Sequence, residues 1–172
     1  MIPLLQKGYS IHGLDLSPNM LERIQNKAKK QNISIPQLYQ QDIFQLDVST
    51  EYDVIYYPFN SLAHITGTTS EQATVFSKIH NALTDTGTFA FDIYIMDFEL
   101  IHDYENIVEH QFTHNGTTYK FETWSTLDSL PEQTFKSKNR IINTATDTIE
   151  WETDHTLNLY PKQQLELLLD TA

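Results

Sequence analysis

The sequence of 172 residues contains no cysteine. Disulfide bonds and metal sites with thiolate ligands are therefore excluded. A chain of this length can bury one sizeable hydrophobic core without such cross-links. The lack of cysteine is typical of a cytoplasmic protein, and we predict that location.

Positive charge and long apolar runs are also scarce. The chain has 11 Lys and Arg against 23 Asp and Glu, which gives a formal net charge of −12. A surface of this sign repels phosphate backbones, so we expect no nucleic-acid partner. No apolar run approaches the roughly 20 residues that a membrane-spanning helix needs, so we expect a soluble chain with no membrane partner.

Residues 1–96 alternate β-rich runs with helical patterns. We predict strands at residues 9–14, 35–41, Tyr52–Tyr57 and 88–95, and a helix at residues 71–83. A further helix follows Ser17, which fits an N-cap, and Pro18, which fits the first helical position. This alternation predicts crossover units and a mostly parallel sheet.

From residue 97 onward the pattern changes to longer strands of alternating polar and apolar residues. We predict these strands at residues 107–114, 117–126, 133–142 and 148–159, with Asn115 and Gly116 as a hairpin turn. A last helix, Lys162–Asp170, has Leu165, Leu168 and Leu169 as its apolar face. The chain is therefore predicted to be an α/β protein with an added antiparallel layer.

Two acidic residues follow predicted strands of the parallel sheet, where ligands bind in open α/β folds. Asp15 could accept hydrogen bonds from both hydroxyls of a ribose, because a carboxylate has two acceptor oxygens. Asp42 could accept from an adenine amino group while the backbone N–H of Ile43 donates to the ring. The alternatives are that Asp15 is a solvated acid near a helix N-terminus and that Asp42 lies in a surface turn.

The loop after the third predicted strand, residues 57–64, contains a third candidate group. Asn60 could orient a small amine or carboxylate and contact a cofactor at the same time. The alternative is that Asn60 and Ser61 cap neighbouring backbone groups and that His64 is a hydrogen-bonded core histidine.

Residues 13–21, with the sequence Gly-Leu-Asp-Leu-Ser-Pro-Asn-Met-Leu, resemble the second motif of class I methyltransferases that use S-adenosylmethionine. The resemblance implies that Asp15 holds the ribose of this cofactor. It also implies that Leu16 and Met20 lie against the adenine, and that Asp42 and Ile43 recognise the edge of the adenine. The chain is therefore expected to be an S-adenosylmethionine-dependent methyltransferase.

The loop sequence Asn-Ser-Leu-Ala-His at residues 60–64 resembles the corresponding loop of glycine and sarcosine N-methyltransferases. These enzymes act on small molecules, so a small-molecule acceptor is implied. Asn60 would then lie between cofactor and acceptor, with Pro58 beside the cofactor. We expect His64, Tyr94 and Trp124 to contact the acceptor.

The resemblance also implies the organisation of the chain. Residues 1–96 would form a partial Rossmann-like core with flanking helices, in which residues 83–92 are a turn and the fifth strand and Gly87 supplies the turn. Residues 97–160 would be an inserted antiparallel sheet that covers the acceptor, and residues 161–172 a final helix that returns to the core.

One family feature is missing from the sequence. None of the five glycines, at positions 8, 13, 67, 87 and 116, belongs to a GxGxG loop. Residues 2–7 resemble the end of the helix that follows this loop, so we expect a chain truncated at both ends that lacks the first strand. The exposed sheet edges would then favour self-association.

Two other interpretations remain open at the level of sequence. A fragment of a NAD-binding oxidoreductase would use the same acid, Asp15, for a ribose. A non-catalytic association module would have lost the cofactor site. We predict no metal site, because His110 and His114 lie on a strand pattern, where residues four apart are too distant to share one ion.

Overall fold

The computed structural model of the chain describes residues 1–47, 51–95 and 105–172, with the backbone alone at residues 105 and 106. It divides into two compact units, residues 1–49 and 50–172. The fold is mixed α/β, with two parallel strand pairs and one antiparallel sheet, as the sequence predicts. The predicted boundary between residues 96 and 97 lies outside the described residues.

The first unit is a single crossover of strand, helix and strand. It contains α1 (Ile2–Gln6), β1 (His12–Asp15), α2 (Pro18–Lys30) and β2 (Gln37–Gln40), followed by a 3₁₀ turn at Ile43–Gln45. The two strands pair in parallel, with Asp15 opposite Gln40 at their carboxyl ends. The predicted N-terminus of α2 is confirmed, because the side chain of Ser17 accepts a hydrogen bond from the backbone N–H of Met20.

Gly13 allows two flexible side chains to pack closely on the backbone of β1. A Cβ atom at this position would lie 2.7 Å from Cε of Met1 and 2.8 Å from Cδ2 of Leu38. The methionine side chain therefore packs directly on the strand backbone.

The second unit begins with another parallel pair and its crossover helix. β3 (Tyr52–Tyr57) and β4 (Leu83–Phe91) pair in parallel and are connected through α3 (Thr69–Asn81). The helix begins with a capping box between Thr68 and Glu71. Its buried Phe76 meets the ring of Phe89 edge-on, at 6.2 Å between ring centres, so one face of the pair is covered by the helix.

β4 is irregular between Leu83 and Thr88: Tyr52 lies opposite the first and Val54 opposite the second, so five steps along β4 match two along β3. Gly87 lies in this irregular stretch, and its φ is not in the positive range. A Cβ atom there would lie 2.9 Å from both the carbonyl oxygen of Tyr52 and Cβ of Leu83. The chain therefore folds back between Leu83 and Gly87, in keeping with the predicted turn, and the close approach of Leu83 and Tyr52 leaves little room for a side chain at this position.

The antiparallel sheet consists of β5 (Glu105–His114), β6 (Thr117–Ser129), β7 (Thr134–Asn143) and β8 (Thr148–Asn158), paired in that order. Asn115 and Gly116 have φ values of 49° and 81°, as a tight hairpin with two left-handed residues requires. The hairpin prediction is confirmed.

The core of the second unit lies around α3, the 3₁₀ turn at Ser61–His64 and α4 (Lys162–Asp170). The bounds predicted for α4 are confirmed, but Leu169 is 41% exposed, so only Leu165 and Leu168 of its predicted apolar face are buried. The hydroxyl of Tyr160 donates to the carbonyl of Ile65 at 2.7 Å inside this core. The side chains that form the centre of the core are Leu62, Ile65, Val75, Phe76, Ile79 and Leu168.

No helix in the described ranges is both long and apolar enough to cross a membrane.

Candidate functional site

In the first unit, the two predicted acids lie at the carboxyl ends of neighbouring strands. Asp15 is the last residue of β1, and Asp42 follows the end of β2. The backbone N–H of Gln41 donates to the carbonyl of Asp15 at 3.3 Å, which connects the two strand ends directly. The structure therefore brings Asp15 and Asp42 to the same edge of the parallel pair.

Each of these carboxylates uses one oxygen locally. Oδ1 of Asp15 accepts from the backbone N–H of Ser17 at 2.8 Å, and Oδ1 of Asp42 accepts from that of Phe44 at 3.0 Å. Among the described residues, neither Oδ2 atom has a hydrogen-bond partner. Asp42 also caps the 3₁₀ turn Ile43–Gln45, so it has the role in a surface turn that was the alternative to ligand binding. This role still leaves one acceptor oxygen available.

Apolar side chains lie close in sequence to these two acids. Leu16 is 65% exposed and Met20 is 50% exposed, while Ile43 is half-buried. Two carboxylate acceptors beside exposed aliphatic surface suit a nucleoside, which has hydroxyl and amino donors and one flat apolar base. These acceptors and apolar side chains of the first unit fit the adenosine part of the expected cofactor.

In the second unit, the loop after β3 has an unusual backbone. Phe59 and Asn60 are consecutive residues with φ values of 60° and 54°, both in the left-handed region. Their backbone N–H groups donate to the two oxygens of Asp92, Phe59 to Oδ1 and Asn60 to Oδ2, at 2.9 Å each. Next to them, the Ser61 hydroxyl donates to the carbonyl of Pro58 at 2.6 Å. The acid at the end of β4 therefore fixes the loop at the end of β3.

The side chain of Asn60 is held as well. Its Oδ1 accepts from the backbone N–H of Tyr94 at 2.9 Å, so the structure brings these two predicted site residues together. Sequence reasoning missed Asp92 as a functional residue. The rule that selected Asp15 and Asp42, an acid at a strand end, also applies to β4 and would have identified it.

His64 ends the 3₁₀ turn Ser61–His64, and its ring meets that of His155 on β8 edge-on, at 5.6 Å between centres. His64 is partly exposed, although its chain neighbours Ala63 and Ile65 are buried. This partial burial, and secondarily the nearby His155, lower the pKa of His64. His155 was missed because its proximity to His64 depends on the packing of the antiparallel sheet.

Trp124 does not join this group. In the antiparallel sheet it lies opposite Lys138, which lies opposite Asp154 on β8. Successive residues of a strand point to opposite faces, so Trp124 and His155 are on different faces of the sheet. The indole instead stacks under the guanidinium of Arg140, whose Cζ lies 4.3 Å from the ring centre. The role of Trp124 as an acceptor contact therefore stays a prediction, and its side chain lies on the face of the sheet opposite to His155.

Within the described parts of the chain, no group of three or more His, Asp or Glu side chains is arranged to hold a metal ion. The ring of His110 lies 5.0 Å from that of Phe121, in the row of aromatic side chains on that face of the sheet.

The chain matches a family model described as "Methyltransferase domain" over residues 1–87, about half of its length. The match includes the strand-end acids of the first unit and the loop that contains Asn60.

The chain is also similar to three known proteins. One, from Geobacillus sp. (strain WCH70), has a name that describes it as a candidate methyltransferase; it is 28% identical over 124 residues, which is 72% of this chain and 47% of that protein. A solved S-adenosylmethionine-dependent methyltransferase from Clostridium acetobutylicum ATCC 824 is 20% identical, with a TM-score of 0.73 over 95% of this chain and 63% of that one. The sugar N-methyltransferase KedS8 from Streptoalloteichus sp ATCC 53650 is 16% identical, with a TM-score of 0.71 over 92% of this chain and 60% of that one.

This chain therefore spans about half the length of its curated relative and less than two thirds of these two solved structures.

Proposed function

The chain belongs to the family of methyltransferase domains, and from this premise we propose that it binds S-adenosylmethionine and is part of an enzyme that methylates a small molecule. The observation that carries the proposal is the pair of strand-end acids in the first unit, each with one carboxylate oxygen free of partners among the described residues. The same family membership argues against the NAD-binding interpretation, which relied on Asp15 alone.

In the proposed complex, the first unit recognises the adenosine. Asp15 accepts from the ribose hydroxyls, and Asp42 accepts from the adenine amino group. Leu16, Met20 and Ile43 supply the apolar contacts to the base. The net charge of −12 also favours a cationic sulfonium ligand over an anionic one.

The second unit supplies the groups proposed to contact the methionine end and the acceptor. Pro58 and Asn60 belong to the loop that Asp92 fixes, and Tyr94 is bonded to Asn60 through its backbone. We keep Pro58 and Asn60 as cofactor contacts, and Asn60, His64 and Tyr94 as acceptor contacts. Trp124 stays a proposed acceptor contact, on the face of the antiparallel sheet opposite to His155.

The chemistry that the cofactor supplies when bound is an activated methyl group on sulfur, ready for in-line displacement. The protein then contributes alignment and exclusion of water. Because the pKa of His64 is lowered, its imidazole is mostly neutral at pH 7 and can accept a proton from an ammonium group. An amine acceptor would need such a proton acceptor to become nucleophilic. The sugar N-methyltransferase of similar fold supports a small amine as the acceptor class.

We also infer a cytoplasmic location, which the absence of cysteine supports, and no nucleic-acid partner, which the negative charge supports. A third inference is self-association. Self-association is supported by β3, where Val54 and Tyr56 point to the same face and are 59% and 60% exposed. Analytical ultracentrifugation over a range of concentrations tests it, and a monomer at every concentration would contradict it.

Calorimetric titration of the chain with S-adenosylhomocysteine tests the proposed cofactor. We expect the chain to bind this product, NAD to bind at least tenfold more weakly, and Asp15→Ala to lower the affinity for S-adenosylhomocysteine about a hundredfold, since two charge-assisted hydrogen bonds are lost. Asp47→Ala is the matched control, because it removes an exposed acid from the same unit. Tighter binding of NAD would support the oxidoreductase, and binding of neither would support a non-catalytic association module.

A further inference from the structure

The interaction of Asp92 with the loop after β3 depends on the parallel register of β3 and β4. Phe91, the last residue of β4, lies opposite Tyr57, the last residue of β3. The next residue along the chain, Asp92, therefore lies beside the start of the loop. Its two oxygens accept one backbone N–H each, from Phe59 and from Asn60.

The loop needs such a contact because of its backbone conformation. Phe59 and Asn60 both have positive φ values, and neither is glycine. A left-handed conformation is unfavourable for a residue with a side chain, and more so for Phe59 than for Asn60, because asparagine adopts it more readily. The two charge-assisted hydrogen bonds to one carboxylate offset this cost. The side chain of Phe59 does not contribute to holding the loop, since it is 90% exposed.

A third hydrogen bond fixes the orientation of the Asn60 side chain. The backbone N–H of Tyr94 can only donate, so the atom 2.9 Å away must be the amide oxygen of Asn60. The Nδ2 group then carries both hydrogens of the amide, and it has no hydrogen-bond partner in the described portion of the molecule. Asn60 consequently offers a ligand two donors, while its acceptor is already engaged.

We propose that Asp92 is a positioning residue that acts on ligand binding through Asn60. By holding the backbone of residues 59 and 60, it keeps the Asn60 amide donors aimed at an acceptor atom of the ligand. Both oxygens of Asp92 are engaged by backbone N–H groups of the loop, so we assign the carboxylate to holding the loop and not to contacting the ligand. This inference rests on the proposed function, in which Asn60 binds the cofactor.

A double-mutant cycle on the full chain tests the proposal, with S-adenosylhomocysteine as the probe in calorimetry. We expect Asp92→Ala and Asn60→Ala each to lower the affinity about tenfold, because each removes the oriented amide. The double variant should bind no more weakly than either single variant. Asp85→Ala is the matched control, since Asp85 is an exposed acid at the other end of β4, and it should bind as the unchanged chain does.

Asp92→Asn tests the same proposal if the alanine variant does not fold. It preserves the size of the side chain but replaces one acceptor oxygen with a donor that faces a backbone N–H, so we expect the same loss of affinity. Thermal melts of all variants confirm that the folded chain is being measured.

The cycle also separates this inference from the proposed function. If Asp92→Ala weakens binding by the same factor with and without Asn60, Asp92 acts independently and the proposal is wrong. Unchanged affinity in Asp92→Ala would contradict it too. Binding that is lost in Asp15→Ala but insensitive to Asp92 would preserve the proposed function, whereas no binding by the unchanged chain would overturn both.

Discussion

Asp15 and Asp42 make the same local hydrogen bond: each carboxylate accepts from the backbone N–H of the residue two positions later, Ser17 and Phe44 respectively. This turn fixes the rotation of each side chain and orients its second oxygen. Two acids at adjacent strand ends are thus held in a similar way before any ligand is present. This pre-organisation reduces the entropy that a nucleoside would lose on binding.

Asp42 should determine the preference for adenine. If its carboxylate accepts from the adenine amino group, the chain will prefer S-adenosylhomocysteine over its inosine analogue, which has an oxygen in place of that group, by about tenfold. Asp42→Ala should bind both probes with nearly equal affinity, as calorimetry can measure. Asp47→Ala should leave the preference unchanged. If the unchanged chain bound the two probes with equal affinity, Asp42 would have no contact with the base.

Removing the Tyr160 hydroxyl should destabilise the second unit. Tyr160→Phe leaves the buried carbonyl of Ile65 without the donor that lies at 2.7 Å, which costs about 1–2 kcal/mol in the free energy of unfolding. Urea denaturation measures this change. Tyr56→Phe is the control, because that side chain is 60% exposed and should have little effect. Equal stability of the two variants would mean that water replaces the lost donor.

The same tyrosine makes stability depend on pH in the alkaline range. Burial raises the pKa of Tyr160, so the folded chain keeps its proton at a pH where the unfolded chain, with an ordinary value near 10, loses it. The contribution to stability is therefore fully present below pH 10 and is lost as the pH rises above it. Between pH 9 and pH 11, the free energy of unfolding should decrease more for the unchanged chain than for Tyr160→Phe, as urea denaturation at the two pH values can measure.

His64 should have the opposite effect below neutrality. Its pKa is lowered from an ordinary value near 6.5, so the unfolded chain binds the proton more readily and stability falls as the pH drops from 7.5 to 5.5. Because the ring is partly exposed, we expect its share to be well under about 1 kcal/mol. His64→Gln should reduce this dependence, and the exposed His80→Gln should not. An identical pH dependence in both variants would contradict the assignment.

Gly116 should be needed for the hairpin between β5 and β6. Its φ of 81° is unfavourable for any residue with a Cβ, so Gly116→Ala should lower the free energy of unfolding by about 1 kcal/mol. Asn115→Gly is the control, because glycine also adopts a left-handed conformation, and it should be close to neutral. Thermal unfolding of the two variants, followed by circular dichroism, makes the comparison. A neutral Gly116→Ala would mean that the turn changes type.

Local signals were sufficient for much of the fold. The N-cap at Ser17, the hairpin at Asn115 and Gly116, and the bounds of α4 each depend on residues close together in sequence, and the structure confirms them. The strand-end acids Asp15 and Asp42 were found in the same way, because a strand, its last residue and the following helix are all adjacent in the chain.

The features that sequence reasoning missed depend on distant contacts. Asp92 bonds to a residue 33 positions earlier, and the neighbourhood of His64 includes His155 on the last strand. The face on which Trp124 lies depends on the register of the whole antiparallel sheet, in which a shift of one residue reverses every side chain. The strand-end position of Asp92 is a local signal, but its bonding partners, the neighbour of His64 and the face of Trp124 are determined by tertiary packing and leave no local pattern.

The pairing of β3 has a consequence for hydrogen exchange. A parallel strand uses alternate residues to bond to each neighbour, and among the described strands β3 bonds to β4 alone. Its backbone amides should therefore alternate between slow and fast exchange over residues 54–56, where the pairing with β4 is regular. A strand that pairs with a neighbour on each side would show uniform protection. Alternating exchange rates would therefore show that β3 is paired along one edge in solution.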